Sequence, residues 1–539
     1  MSALISPFSR TFHPDEANQA FTVGRLLETG HYTYSPVDHH GPTLYYAAAP
    51  LQHAFGHDTT ADLDGALLRV TPLLFALLGL LALGHALFML LRAPDRRAGL
   101  VEAVLGAGMT VALLASAPLF VFFATNFIQE MLLVAFTLGL FWAGIGYARA
   151  VDAADPPRLK PGTWALFFGI SAGLAFATKE TSLLAFAALV PAALTLWFTR
   201  PGPLPVKRPH VILALLAFLL TAVILFSAGG RDWSAVYDAF VSAPLNYLGR
   251  GAGDAAVSAG ADWHVHPWWQ HLRWLVFGTA PGAHVRGFTH LFPLALVAAA
   301  LIGLVRLRLR DRSTPFPLRA RVFLALVAYT LTLTALYSAI PYKTPWCTLQ
   351  LLVPLLVSTG LGLVLIRDTL SAQHQAPGTQ HQAPGAKHQA LGTLLGALVV
   401  TPLMIVGVEH APGLVLMARD PDSSDIPYNY AHASPDVRAL ADCVATAVAQ
   451  TPKDVEPFIA VALPTEDTWP FPWYNRKLEH LTGYWTSFDD LRALAETGAK
   501  PTVVIVPMTE GHLAQALFPH LTHTKRFSMR PRVRVRVFW

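Results

Sequence analysis

Charge is what this sequence has least of. Only 14% of its 539 residues are Asp, Glu, Lys or Arg, against about 25% in soluble globular proteins. It therefore lacks the polar surface that a large water-facing fold needs. Cysteine is almost missing too: Cys347 and Cys443 are the only two, which excludes a disulfide framework and leaves the redox compartment unmarked. There is no Walker loop, GxSxG elbow, paired CxxC or HExxH helix, so soluble nucleotide-sugar chemistry is unsupported. Residues 1–20 contain no apolar run of the kind a signal peptide carries.

What is present is apolar. Hydrophobic residues make up 53% of the chain and mean hydropathy is +0.43. A spanning helix needs about 20 apolar residues. Ten runs qualify, at about 67–91, 99–122, 130–148, 162–178, 181–199, 210–228, 289–306, 321–340, 346–366 and 391–409. The fourth is the weakest. Gly169, Gly173 and the break at Thr178-Lys179-Glu180-Thr181 also allow a re-entrant hairpin with the fifth.

The loops set the sidedness. Alternate loops carry Arg92, Arg96 and Arg97; Arg149, Arg158 and Lys160; Arg200, Lys207 and Arg208; six arginines between Arg306 and Arg321; and Arg367 with Lys387. By the positive-inside rule these face the cytoplasm. Residues 1–66, loop 229–288 and the tail from 410 then lie outside. The net charge of +5 follows from this arrangement, and no nucleic-acid partner is implied.

The expected organisation is a polytopic α-helical membrane protein of about ten spans. It comprises an extracytoplasmic first segment 1–66, a transmembrane domain 67–409 and a small extracytoplasmic α/β domain 410–539. Residues 373–393 repeat QHQAPGT, QHQAPGA and KHQALGT, a Pro-Gly pattern that reads as a flexible cytoplasmic linker over 368–390. In the outer loop 229–288, Pro267-Trp268-Trp269 and the apolar residues after it predict a short interfacial helix. Asp15–Leu27 has helical spacing with Pro14 in the first turn. In the tail, Pro457–Leu463, Pro501–Pro507 and Arg532–Trp539 predict strands. Phe488–Thr497, capped by Ser487, and Gly511–Pro519 predict helices.

Ionisable groups at membrane depth are costly and usually functional. Asp15-Glu16, Glu130, Lys179-Glu180 and Tyr342-Lys343-Thr344-Pro345-Trp346 all map to the outer face. Such a rim suits a lipid-phosphate sugar donor, with Lys179 or Lys343 for its phosphate and Asp15 or Glu16 to take a proton from an acceptor. Each has a plainer reading: a first-turn carboxylate, an interfacial cap or a snorkelling lysine. Asp262-x-His264-x-His266 could hold a metal on one strand face, although a solvated loop is the plainer reading. The histidines near His39-His40 could also bind metal, or pack a turn beside Gly41-Pro42.

Taken together, four stretches carry a resemblance: FHPDEANQAFTVGRLLETGHYTYSPVDHHGPTLYY at 12–46, Ser116–Phe120 through Glu130, Ala177-Thr178-Lys179-Glu180, and Pro341–Trp346. In this order and spacing the chain resembles the GT-C-fold membrane glycosyltransferases, which include protein O-mannosyltransferases and aminoarabinose transferases. It is most similar to the prokaryotic flippase-activity-associated branch, which Phe471-Pro472-Trp473-Tyr474 and Tyr428–Ala433 also resemble. The resemblance implies catalytic Asp15 with Glu16 beside it. It implies a substrate site drawn from His40, Glu130, Lys179, Glu180, Tyr342, Lys343 and Trp346, and a polyprenyl-phosphate sugar as donor in the inner membrane. No cofactor is required and a divalent metal stays open. Flippase or glycan-assembly proteins are implied as partners, and the alternative function is a non-enzymatic accessory subunit of a lipid-linked glycan flippase. The superfamily carries a span before its Asp-Glu loop, whereas only 14 residues precede Asp15; an upstream helix is expected to be missing.

Overall fold

The computed structural model describes residues 8–36, 40–92, 97–152, 159–202, 206–251, 264–277, 290–310, 315–374, 404–429 and 432–539. The first helix, α1 (Pro14–Thr29), starts where the sequence predicts. Its N-terminus closes a reciprocal cap, in which His13 Nδ1 accepts from the Asp15 amide at 3.1 Å and Glu16 accepts from the His13 amide at 3.1 Å. Pro14 occupies the first turn, where its missing N–H costs nothing. Ala17, Ala20 and Val23 face inward and are fully buried, with Leu44, Tyr45 and Ala48 of α2 (Thr43–Ala54) in the same core.

The apolar chain then folds into α3 (Gly65–Leu91), α4 (Arg97–Ala115), α5 (Pro118–Ala124), α6 (Glu130–Asp152), α7 (Pro161–Phe176), α8 (Ser182–Thr199) and α9 (Arg208–Phe226). Then come α10 (Gln270–Phe277), within the segment 229–288, α11 (Leu291–Arg310), α12 (Leu318–Ala339), α13 (Thr348–His374) and α14, residues 404–419. Six of these helices are long and apolar enough to cross a membrane, or seven if the bent pair α4–α5 is one span. The expected ten is thus not the number that length and composition give among the described residues. The helices α7 and α11 are shorter apolar segments, and residues 391–403 of the tenth expected span lie outside the described residues.

Three further expectations change. The run 99–122 is not one straight helix: Ala117 takes extended backbone before Pro118, and the two pieces meet at 71°. Proline disfavours helical backbone in the residue before it and supplies no N–H to the preceding turn. Gly169 and Gly173 lie inside the continuous helix α7, and the expected break falls after it, between Phe176 and Ser182. A Cβ at either would collide with Ala214 O or Thr221 of α9, so the missing side chains let α7 and α9 pack backbone to backbone. The helix α13 runs on through 368–374, residues expected in the linker, and is anchored there by Arg367 to Glu102 at 3.0 Å and Arg319 to Asp368 at 2.9 Å. The rest of the repeat lies outside the described residues. The expected interfacial helix is α10, but Trp274 and Leu275 on it are buried.

The tail is a five-stranded mixed sheet, β1 (Ile459–Ala462), β2 (Thr482–Trp485), β3 (Val503–Pro507), β4 (Thr524–Arg530) and β5 (Val533–Phe538), in the order β2-β1-β3-β5-β4. The pairs β2/β1 and β1/β3 are parallel, and β3/β5 and β5/β4 antiparallel. One face is covered by α15 (Asp436–Ala449) through Val437, Leu440 and Val444. The other is covered by α16 (Phe488–Glu496) and α17 (Gly511–Leu517) through Leu491 and Ala514. Ser487 caps α16 as expected, in a reciprocal pair with Asp490.

This domain sits on the first segment. Phe12 stacks on Trp473 at 4.5 Å and its amide donates to Tyr474 Oη at 2.8 Å. Arg476 donates to Leu63 O at 2.9 Å, and Asp422 accepts from the Thr11 amide and hydroxyl at 2.8 and 3.1 Å. These contacts place the start of α1 between the helical bundle and the sheet.

Candidate active site

At that junction lies a small cavity of about 10 Å³, lined by Arg10, His13 and Asp15, by Phe122, Phe123, Asn126 and Ile128, and by Trp346, Tyr428 and His432. The bend between α4 and α5 carries the two phenylalanines into it. The side chain of Asp15 is 46% exposed, and so it is the carboxylate of this cavity that can meet a substrate. Its backbone is fixed by the α1 cap, and His13, which makes that cap, meets Trp346 edge-on at 5.9 Å.

The neighbouring Glu16 is in the opposite situation. Arg69, at the start of α3, grips it through Nε at 2.8 Å and Nη2 at 2.7 Å, and the amides of Phe127 and His13 donate to it at 2.8 and 3.1 Å. Both partners are fully buried. Burial alone pushes the Glu16 carboxyl up, but the charges of Arg69 and Arg10 and the donated hydrogen bonds outweigh it and hold it down at about 2. With all its acceptor positions in use, Glu16 cannot share the acid–base role expected for the Asp-Glu pair. It anchors the loop that presents Asp15.

The cations divide in the same way. Lys179 pairs with Glu130 and lies 6.0 Å from the centre of the Trp346 ring. Burial works against its charge, yet Glu130 more than offsets this and keeps its pKa above the ordinary lysine value. Lys343 is 1% exposed, and its ammonium donates to the carbonyls of Tyr337, Ser338 and Ile340. It closes the end of α12, so its expected place as a phosphate ligand gives way to a C-terminal cap. Arg10, which motif reasoning passed over, lines the cavity with its guanidinium 4.1 Å from the Phe122 ring centre, and donates to Thr125 O at 3.3 Å. Asn126 Oδ1 and Glu130 Oε2 are buried and have no hydrogen-bond partner among the described residues.

His40 and Glu180 form a separate cluster beside this one. His40 Nδ1 is 2.8 Å from Glu180 and 2.9 Å from Tyr247 Oη, and Tyr34 Oη donates to Glu180 at 3.3 Å. Burial pushes Glu180 up, and His40 more than reverses it, leaving the carboxyl below its usual range. The first loop is held on the α7–α8 junction by the Thr43–Thr178 hydroxyl contact at 2.8 Å.

The histidine stretch 264–266 does not lie free in solvent. His264 stacks on Tyr342 at 4.5 Å, and residues 264–266 bridge to 341–343. Asp262 lies outside the described residues. Burial drives His264 down to about 4, opposed by the charge of Asp15, so a neutral imidazole stands within electrostatic reach of the candidate base. His432 is likewise lowered to about 4, by burial against the pull of Asp422 2.7 Å away. Among the described residues no group of three or more His, Cys, Asp and Glu could hold a metal ion.

Known structures place this architecture. The apo crystal structure of ArnT, an aminoarabinose transferase, from Cupriavidus metallidurans aligns over 100% of this chain and 95% of its own, at 16% identity and a TM-score of 0.61. The same protein bound to undecaprenyl phosphate aligns over 99% and 96%, at 14% identity and a TM-score of 0.58. At that identity the likeness is one of fold, the GT-C membrane fold. No protein-family model matches the sequence, and no curated protein does.

Proposed function

We propose that this chain is a glycosyltransferase of the inner membrane, working on its extracytoplasmic side with Asp15 as base. The donor is a sugar linked to a polyprenyl phosphate. The acceptor hydroxyl or amine gives its proton to the Asp15 carboxylate, and its O or N attacks the anomeric carbon. The bond from that carbon to the phosphate oxygen breaks, and the electron pair leaves with polyprenyl phosphate. Direct displacement inverts the anomeric carbon. Arg10 and Lys179 stand where the leaving anion would need cations, and Phe122, Phe123 and Trp346 give apolar walls. Glu130, paired with Lys179, and Tyr342, stacked on His264, would meet the donor from beside the cavity, while His40 and Glu180 hold the first loop in place.

The observation that carries this reading is the contrast between adjacent carboxylates. Glu16 is locked by Arg69, and Asp15 is left open to a cavity with a cation in its wall. The GT-C fold shared with a protein solved on undecaprenyl phosphate supports the donor class. Ligand binding to the folded state raises melting temperature by mass action. Polyprenyl phosphate, but not the uncharged polyprenol, is therefore expected to raise the melting temperature of the purified protein, with Arg10→Gln weakening its binding about tenfold and so reducing the shift. Equal shifts with the two lipids, or none, would count against a phosphate site here.

A further inference from the structure

A second cavity opens further along α1, between that helix and the edge of the sheet. Its volume is about 340 Å³, within the range of roughly 300–1,000 Å³ typical of small-ligand sites. Aromatic rings dominate it: Phe21 from α1, Trp469, and Tyr484 and Trp485 at the end of edge strand β2. Arg25 and Glu479 bring one charge of each sign.

These rings are held in place. Trp469 meets Phe21 edge-on at 5.5 Å, and Trp485 meets Phe458 edge-on at 5.9 Å. Gly483 makes room for the indole, since a Cβ there would come within 2.4 Å of the Trp485 ring. Tyr484 Oη donates to Glu479 at 2.9 Å, and burial pushes the Glu479 carboxyl up. Tyr484 is nevertheless 37% exposed, a large aromatic group kept partly in water. Phe21, Trp469 and Trp485 each back onto a core cluster, which leaves the Tyr484 ring and the polar rim of the groove unused by core packing or by the transfer chemistry above.

We propose that this groove binds a neutral saccharide. A pyranose offers an apolar C–H face and a rim of hydroxyls. Flat rings bearing one polar atom complement the face, and the Arg25–Glu479 pair with the Thr465 and Thr486 hydroxyls complements the rim. Opposed charges leave no net field to select an anion. The position along α1 gives the groove a use. Asn18 lines it and lies one turn from Asp15 on the same side of the helix. Arg25, ten residues from Asp15, is about 15 Å along the axis. A glycan in the groove therefore points one end toward the candidate base. Its role as the acceptor's glycan rests on the transferase reading, whereas the binding site stands without it.

The test titrates purified full-length protein with a panel of neutral gluco-, manno- and galacto-oligosaccharides, following tryptophan fluorescence and calorimetry. At least one should bind saturably. Trp485→Ala and, separately, the solvent-side Arg25→Ala should each weaken it about tenfold; Asp15→Asn should bind like wild type. In a transfer assay, Arg25→Ala should raise the acceptor KM and keep kcat. If no sugar binds, or if it binds equally to both groove variants, the groove proposal is overturned. Should a sugar bind and depend on the groove while no transfer occurs, the groove stands and the transferase reading falls. Arg25→Ala keeps the test open if Trp485→Ala does not fold.

Discussion

Glu16→Ala is expected to unfold the segment around the start of α1 and its seat on the sheet domain while leaving Asp15 chemically intact. Removing one partner of a buried ion pair leaves the other charged and unpaired, at a cost of about 3–5 kcal/mol. Here Arg69 would keep the carbonyls of Phe8, Arg10 and Thr11 and the face of the Phe12 ring but no carboxylate from Glu16, and the Phe127 amide would lose its acceptor. That is a large share of the stability of an ordinary domain. Arg69→Ala should do comparable damage, and Glu16→Gln less, since the amide keeps hydrogen bonds without the charge. The pair also predicts a pH response. The Glu16 carboxyl is depressed on folding, from 4.5 to about 2. Its contribution is therefore complete above about 4.5 and disappears as pH falls toward 2. Thermal melts of wild type and Glu16→Gln should converge over that window. A Glu16→Ala protein that melts with wild type at neutral pH would refute the anchoring role.

Asp15→Asn should have the opposite profile. The side chain makes no deep contact, and its place in the first turn of α1 is worth about 0.3–1 kcal/mol through the helix dipole, so the melt should barely move. Losing a positioned base removes about 10²–10⁴-fold of rate. The loss should fall on kcat, with the donor KM near wild type, because a proton is taken in the transition state and not on binding. Asp15→Glu should recover part of it.

Much of this was legible before any coordinates. The helix at Asp15 announced itself by Pro14 and its spacing, and β1, β3, β5 and both helices beside them were found by apolar runs and caps. Strands β2 and β4 and helix α15 were not. Thr482–Trp485 is four residues with a glycine inside, and Lys525-Arg526 gives β4 a charged stretch that an apolar pattern overlooks. The charged candidate residues were picked out because charge is rare in this chain. Their division of labour was not, since it depends on partners remote in sequence. Nothing adjacent to Asp15 and Glu16 says that Arg69 will take one and leave the other. Arg10 escaped for the same reason, and His264, read as part of a candidate metal triplet, was not linked to Asp15: their proximity to it is made by tertiary contacts of Thr11 with Asp422 and of 264–266 with 341–343.

The central claim is that Asp15 drives sugar transfer off a polyprenyl phosphate. The most direct measurement incubates purified protein with a polyprenyl-phosphate hexose and membranes from cells lacking this gene, following both lipids by mass spectrometry. Wild type should consume the donor and release an equal amount of polyprenyl phosphate, with Asp15→Asn slower by at least about 10²-fold. Donor consumption at equal rates by the two proteins would contradict the account.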